Sequence, residues 1–400
     1  MTGQGNGVVP DAAALRAQVS EFLAAHDPRT TEPLEFLQAR FDAGLAFVHY
    51  PTGLGGQQLP RSLQSAVDRA FAEAGGPSNH PERNGIGLGM AAPTVLAHGT
   101  AEQRQRWLRP LWTGEEIWCQ LFSEPGAGSD LAGLATRAVR DGDVWTVNGQ
   151  KVWTSSAHMA RRALLVARTD PDAPKHEGLT YFSLDMGQPG VEVRPLRQIT
   201  GDAEFNEVFL TDAQIPDTDR IGGVGRGWTV SMATLMNERV SIGGGAMPRE
   251  GGMIAAAART WREHPELRTP GLHDRLLRLW ADAEVARLAG VRLRQQLAAG
   301  QPGPEGSAAK LVFARLNQEI SEFEVELAGA DGLRYDDWTM RRPQGADFFG
   351  RNPVFRFLRA KGNSIEGGTS EILRNVIAER VLGLPKEARA DSGPWKDLPR

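Results

Sequence analysis

Apolar positions recur every three or four residues in the first third of the chain and again after Trp228, but fall into short runs between Leu121 and Ala213. The first pattern predicts helices. Ala12–Ala25 and Ser62–Ala74 read as amphipathic, and Thr100–Leu111 opens on a Thr cap followed by Ala-Glu-Gln. Tyr50-Pro51-Thr52-Gly53-Leu54-Gly55-Gly56 lies between them and is a loop that no helix crosses. The middle pattern predicts strands: Val144–Val147, Val152–Ser155, Ala163–Arg168, Thr180–Asp185, Val191–Arg194 and Glu207–Leu210, between clusters of Pro, Gly and Asp. Asp141-Gly142 and Asn148-Gly149 are turn signals on either side of the first of these. Strands with no helices between them predict a compact antiparallel sheet or barrel, not a βαβ nucleotide fold.

Ile215-Pro216-Asp217 and the glycines at 222, 223, 225 and 227 read as a hinge, after which helices resume. The clearest is Ser307–Leu327, with Val312, Leu316, Ile320, Phe323 and Leu327 on one face, a stripe for core or oligomer packing. A last helix is expected from about Thr369 to Val381, stopped by Gly383 and Pro385. The fold class is therefore mainly α with a central β-domain, in segments near 1–118, 119–220 and 221–400.

Composition narrows the function classes. Lys+Arg 45 against Asp+Glu 49 gives a net charge of −4, which offers no general pull on nucleic acid or on a membrane surface. No apolar run approaches the ~20 residues of a spanning helix, and MTGQGNGVVPDAA has neither the basic nor the apolar region of a secretory signal. Cys119 is the single cysteine, so no intrachain disulfide forms. These points make a cytoplasmic location the expectation, and no metal-ligand cluster stands out.

The chemistry concentrates between Cys119 and Ser155. Ser123-Glu124-Pro125-Gly126-Ala127-Gly128-Ser129 joins a proline that fixes one φ to glycines that permit φ > 0 and close backbone approach. Such a loop can aim N–H groups and hydroxyls at one planar or anionic ligand. The chain returns in Val152-Trp153-Thr154-Ser155, an aromatic followed by two hydroxyls. Together they make a pocket for a flat heteroaromatic ring.

This segment resembles the flavin-binding β-domain signature of the acyl-CoA dehydrogenases, and the similarity runs from about Phe22 to Pro385. The resemblance implies FAD, held without a covalent bond, and removal of two hydrogens from an acyl-CoA thioester. It implies cofactor contacts from Leu121, Ser123, Gly128, Ser129, Trp153, Thr154 and Ser155, with Thr369 and the backbone of Glu371 at a helix start. Ser129 also matches a position against the CoA portion. Relatives place the base at one of two sites. One precedes the Gly-Thr of a C-terminal turn, but Ser364-Ile365-Glu366-Gly367-Gly368-Thr369-Ser370 puts Gly367 there and Glu366 one residue early. The other is a Glu-Arg pair on the first helix after the hinge, matched by Met236-Asn237-Glu238-Arg239. Glu238 is thus the implied base, with Asn237, Arg239 and the N–H of Gly367 toward the substrate.

Two elements depart from homomeric relatives. Ala258–Leu267 lacks the usual Arg-x-x-Phe-Gly, and Glu326-Leu327-Ala328-Gly329 carries Glu where a Gln commonly grips a neighbour's flavin. A carboxylate beside a pyrophosphate is repelled unless an Arg compensates. Either a homo-oligomer or a heterotetramer with a related subunit follows, with an electron-transfer flavoprotein as acceptor. A same-fold oxidase using oxygen and a non-catalytic partner subunit are the other readings.

Overall fold

The computed structural model of the chain describes residues 12–243, 248–298, 305–335, 337–345, 351–387, 391 and 393–398. Two compact units result, Met1–Trp118 and Cys119–Arg400.

The first unit is helical. The helices α1 (Ala12–Ala25), α3 (Gln64–Glu73) and α5 (Ala101–Thr113) fall where periodicity puts them, α3 after one 3-10 turn at Arg61–Leu63. Thr100 caps α5: its hydroxyl accepts from Gln103 N at 3.2 Å, and Thr100 N donates back to Gln103 Oε1 at 3.0 Å. That pairing satisfies two donors a helix start leaves open. Two shorter helices went unpredicted, α2 (Pro33–Asp42) and α4 (Ala92–His98). Phe22, Phe36 and Phe71 meet edge to face with centroids 5.3, 5.5 and 5.9 Å apart, the favoured geometry for buried rings. The Tyr50–Gly56 stretch is a loop, as expected.

The second unit opens on the sheet. Its strands are β1 (Trp118–Leu121), β2 (Arg137–Asp141), β3 (Val144–Ser155), β4 (Arg162–Arg168), β5 (Leu179–Asp185), β6 (Val191–Leu196) and β7 (Phe205–Pro216). They lie in the order β1-β4-β2-β3-β7-β6, with β5 also on β4. The pairs β2–β3, β3–β7, β6–β7 and β4–β5 are antiparallel, whereas β2 meets β4 in parallel at Arg137 and Arg168. One face of alternate residues, including Trp145, Leu165, Phe182, Val208 and Ile215, is fully buried.

Asp141-Gly142 turns the chain, with Asp141 paired to Val144 and Gly142 at φ 56°. Asn148-Gly149 does not, against expectation. It lies inside β3, at a register shift against β7 between Val147 and Gly149. Glycine is there for room: a Cβ would stand 2.3 Å from Thr136 Oγ1. Along the glycine-rich connection, Ile221 N donates to Tyr181 O at 2.9 Å and Gly225 N to Thr180 Oγ1 at 3.1 Å, so the connection is hydrogen-bonded along β5. A Cβ at Gly227 would meet the backbone of Leu179 and Thr180 at 2.7 Å, which fixes how closely the next helix starts.

That helix is α6 (Gly227–Gly243), followed by α7 (Met253–Glu263), α8 (Pro270–Ala298), α9 (Glu305–Leu327), α10 (Pro353–Ala360) and α11 (Ser370–Arg380). The predicted stripe on α9 packs inside the chain, with Leu316, Ile320, Phe323 and Leu327 against Met253, Ile254 and Ala257 of α7 and Leu276 and Leu279 of α8. It is core, not a seam between subunits. Thr369 caps α11 by accepting from Ile372 N at 3.2 Å.

Candidate active site

The glycine-rich loop is fastened at its base. Glu124 is buried and accepts from Ala135 N (2.6 Å), Thr136 N (2.9 Å) and Lys151 Nζ (2.9 Å). Burial opposes its charge, but Lys151 and the backbone donors hold the carboxyl below the ordinary glutamate range. Val152 N donates to Ser123 O at 2.9 Å, which brings the loop against the end of β3. Neither Gly126 nor Gly128 adopts φ > 0, contrary to expectation, and a Cβ on either would meet nothing within 4 Å. The fold does not require these glycines; they leave the loop's outer face open. Leu121 lies in the sheet core, so only its backbone can face a ligand.

The end of β3 carries the strained residue. A register shift between Lys151 and Thr154 turns Trp153 outward at φ +60° and 57% exposed, edge-on to Phe205 at 5.8 Å. A large side chain in left-handed backbone costs energy that ordinary strand packing would avoid. Next to it, Thr154 is buried with its hydroxyl unpaired among the described residues, while Asn206 Nδ2 donates to the Thr154 carbonyl at 3.0 Å. Ser123 and Ser155 are half-buried.

From the other side come α6 and the C-terminal turn. Tyr181 of β5 and Thr234 of α6 hydrogen-bond at 2.9 Å, fixing the helix one turn before Asn237 and Glu238. Gln120 of β1 donates to Glu238 Oε2 at 3.4 Å, and Gln120 Oε1 is buried without a partner among the described residues. The side chain of Arg239 lies outside the described part. Gly367 and Gly368 sit at φ +61° and +96°, values that glycine alone adopts cheaply. Glu366 is tied down: Arg359 grips both oxygens at 3.2 and 3.0 Å and Asn363 Nδ2 donates at 2.5 Å. Arg359 also holds Glu204 at 2.9 Å, and Glu204 O accepts from Ser156 N at 3.2 Å, which links the turn back to the end of β3. Lys310 of α9 donates to the carbonyls of Asn363 (2.8 Å) and Gly368 (2.7 Å).

Gln120, Glu204, Lys310, Arg359 and Asn363 were not singled out from sequence. Other expected residues stand apart from this group. Gly128 and Ser129 are exposed. Glu326 is sixteen residues beyond Lys310 on α9, a rise of about 24 Å. Arg275 of α8 pairs with it, so the charge expected to repel a pyrophosphate is compensated. Gly329 follows at φ +53° with open space beside it. Glu371 pairs with Arg374 at 3.3 Å. No helix among the described residues is long and apolar enough to cross a membrane, and none of their His, Cys, Asp or Glu form a metal-binding group.

Comparison with known proteins gives this geometry a family. Models of the N-terminal, middle and C-terminal domains of acyl-CoA dehydrogenases match residues 10–115, 119–213 and 225–382. The chain belongs to the acyl-CoA dehydrogenase family. It is 39% identical to the acyl-CoA dehydrogenase IpdE1 of Mycobacterium tuberculosis over 350 residues, 87% of this chain and 86% of that protein. It is 40% identical over 387 residues to FadE34 of the same organism, 94% of this chain but 49% of that protein, so it spans about half of FadE34. Among solved structures, the ChsE4–ChsE5 complex of Mycobacterium tuberculosis is similar with a TM-score of 0.69 at 25% identity, covering 96% of this chain and 100% of that one.

Members of this family are FAD-dependent flavoproteins. The residues here fit that cofactor: an exposed indole in strained backbone, a buried unpaired hydroxyl at Thr154 and an open glycine-rich loop flank one another. Such a surface fits a flat ring with polar edges.

Proposed function

We propose that the chain dehydrogenates an acyl-CoA thioester between its α and β carbons, with Glu238 as the base. The observation that carries the choice of base is the state of Glu366, whose two oxygens are both spent on Arg359, with Asn363 donating as well. A carboxylate so paired gives up both an ion pair and a hydrogen bond before it can take a proton. Glu238 is half-buried beside Gln120 on a helix whose start is fixed against β5, and these features support it as the carboxylate that takes the α-proton. The N–H of Gly367 is the donor for the thioester oxygen, a role for backbone that glycine serves as well as any residue. Ser123, Trp153, Thr154 and Ser155 hold the cofactor ring, and Ser129 and Asn237 lie toward the substrate. The chemistry that bound FAD supplies is acceptance of the hydride leaving the β-carbon.

Electrons would pass to an electron-transfer flavoprotein. Assembly with a second chain of the same family accords with two findings: FadE34 is about twice as long as the matching chain, and ChsE4 was solved in complex with ChsE5.

Anaerobic titration of the purified yellow protein with a panel of acyl-CoAs tests the reading. At least one should bleach the flavin. Glu238→Gln should keep the flavin yet lose bleaching by roughly 10²–10⁴ in rate, the scale of general-base catalysis, and Glu366→Gln should bleach nearly as wild type. An exchange of those two behaviours would make Glu366 the base.

A further inference from the structure

Beside its apolar stripe, α9 carries a second one. Ser307, Lys310, Ala314, Asn317, Ser321 and Glu324 recur at alternating three- and four-residue steps, and all six are buried. Burying polar groups is costly unless they are paired. Three of these spend their polar atoms on α10 and the turn that follows it. Glu324 holds Arg356 at 2.7 and 2.9 Å, and Asn317 Nδ2 donates to Asn363 Oδ1 at 3.1 Å. Lys310 Nζ donates to Asn363 O and Gly368 O, and so reaches both ends of the turn that carries Gly367. With consecutive glycines at φ +61° and +96°, that turn has little stiffness of its own.

Lys310 also faces charge from two elements. Burial pulls its proton affinity below the ordinary lysine value, and Glu366 of the turn and Glu238 of α6 oppose that by favouring the charged form. Glu366 is already claimed by Arg359 of α10, which is shared with Glu204 of the β6–β7 connection.

We propose that Lys310 is a positioning residue for the dehydrogenation: it clamps the Gly367 turn through two carbonyls. The role in dehydrogenation rests on the proposed function; the clamp does not. Loosening the clamp lets the Gly367 N–H wander from the thioester oxygen.

The test compares wild type, Lys310→Met and Lys310→Arg, each purified with FAD. Amide hydrogen exchange read by mass spectrometry over residues 361–370 needs no acyl-CoA. Lys310→Met should speed exchange there by about tenfold while the rest of the chain keeps its protection. With the acyl-CoA that bleaches wild type fastest, kcat should fall roughly 10²-fold, the cost of an ångström of misplacement, with a smaller change in KM. Wild-type exchange in Lys310→Met overturns the clamp. If no acyl-CoA bleaches the flavin, the dehydrogenase reading fails and the exchange result alone decides the clamp. Should Lys310→Met not fold, Lys310→Arg decides: faster exchange over residues 361–370 supports the proposal, and wild-type exchange there overturns it.

Discussion

Trp153 is strained and exposed at once, which strand packing alone does not explain. Its φ of +60° is a conformation in which non-glycine residues cost about 1–3 kcal/mol, and its indole is spent largely on solvent and one edge of Phe205. A strand that needed only to pair with β7 would place glycine here, or no bulge at all. Trp153→Gly is therefore expected to leave the stability of flavin-free protein within about 1 kcal/mol of wild type, because relief of the backbone offsets the lost ring contact. FAD dissociation should be clearly faster. Paired urea melts of stripped protein and a flavin-release assay check both halves. A large loss of stability with unchanged release would make the indole a packing residue, and its strain would then lack a purpose.

At the scale of elements, Asp217 ties β3 to the start of the connection toward α6. Its carboxylate accepts from Arg220 at 2.8 and 3.1 Å, Trp145 Nε1 at 2.8 Å and Arg140 at 3.2 Å, and Arg220 leads in holding the carboxyl down at about 2. The unfolded chain has the ordinary 3.8, so the folded state keeps this charge to lower pH. The stabilisation is complete above the ordinary value and is lost as pH falls toward about 2. The stability difference between wild type and Asp217→Asn should shrink steadily from roughly pH 5 to about pH 2.5 in urea melts; a gap that stays constant would show that the carboxylate's charge is not what matters. Elements with a strong local period were legible in the sequence: α1, α5, α9 and α11, and the short strands of the sheet. Asn148-Gly149 misled because a dipeptide cannot show that β7 pairs with β3 on both sides of it. The spacing of Glu238 from Trp228 singled it out as the candidate base. Lys310 was not singled out, although Lys310, Asn317 and Glu324 already stood seven residues apart on one face of a helix; what they grip comes from residues 356–368, and only folding brings that segment alongside.

At the scale of the molecule, the α9 stripe is used up inside the chain, so the assembly proposed above needs another surface. One is present on α8. Leu277, Val285 and Leu288 are 52%, 66% and 52% exposed, and eight- and three-residue steps put them on one side of the helix. Apolar residues lined up in this way on a surface mark an interface more often than solitary ones do. Arg275 near the start of α8 and Glu326 near the end of α9 form an exposed pair whose charges cancel within the chain. The double substitution Val285→Glu with Leu288→Glu is accordingly expected to lower the mass in solution to that of one chain, without loss of helical signal. If a neighbour supplies part of the grip on each flavin, FAD occupancy should fall in step. Light scattering coupled to size exclusion, with the flavin-to-protein absorbance ratio read on the same peak, measures both at once. A wild-type chain that runs as a monomer with full flavin occupancy, or a double variant unchanged in mass, would reject α8 as the interface and leave the flavin to be held by one chain alone.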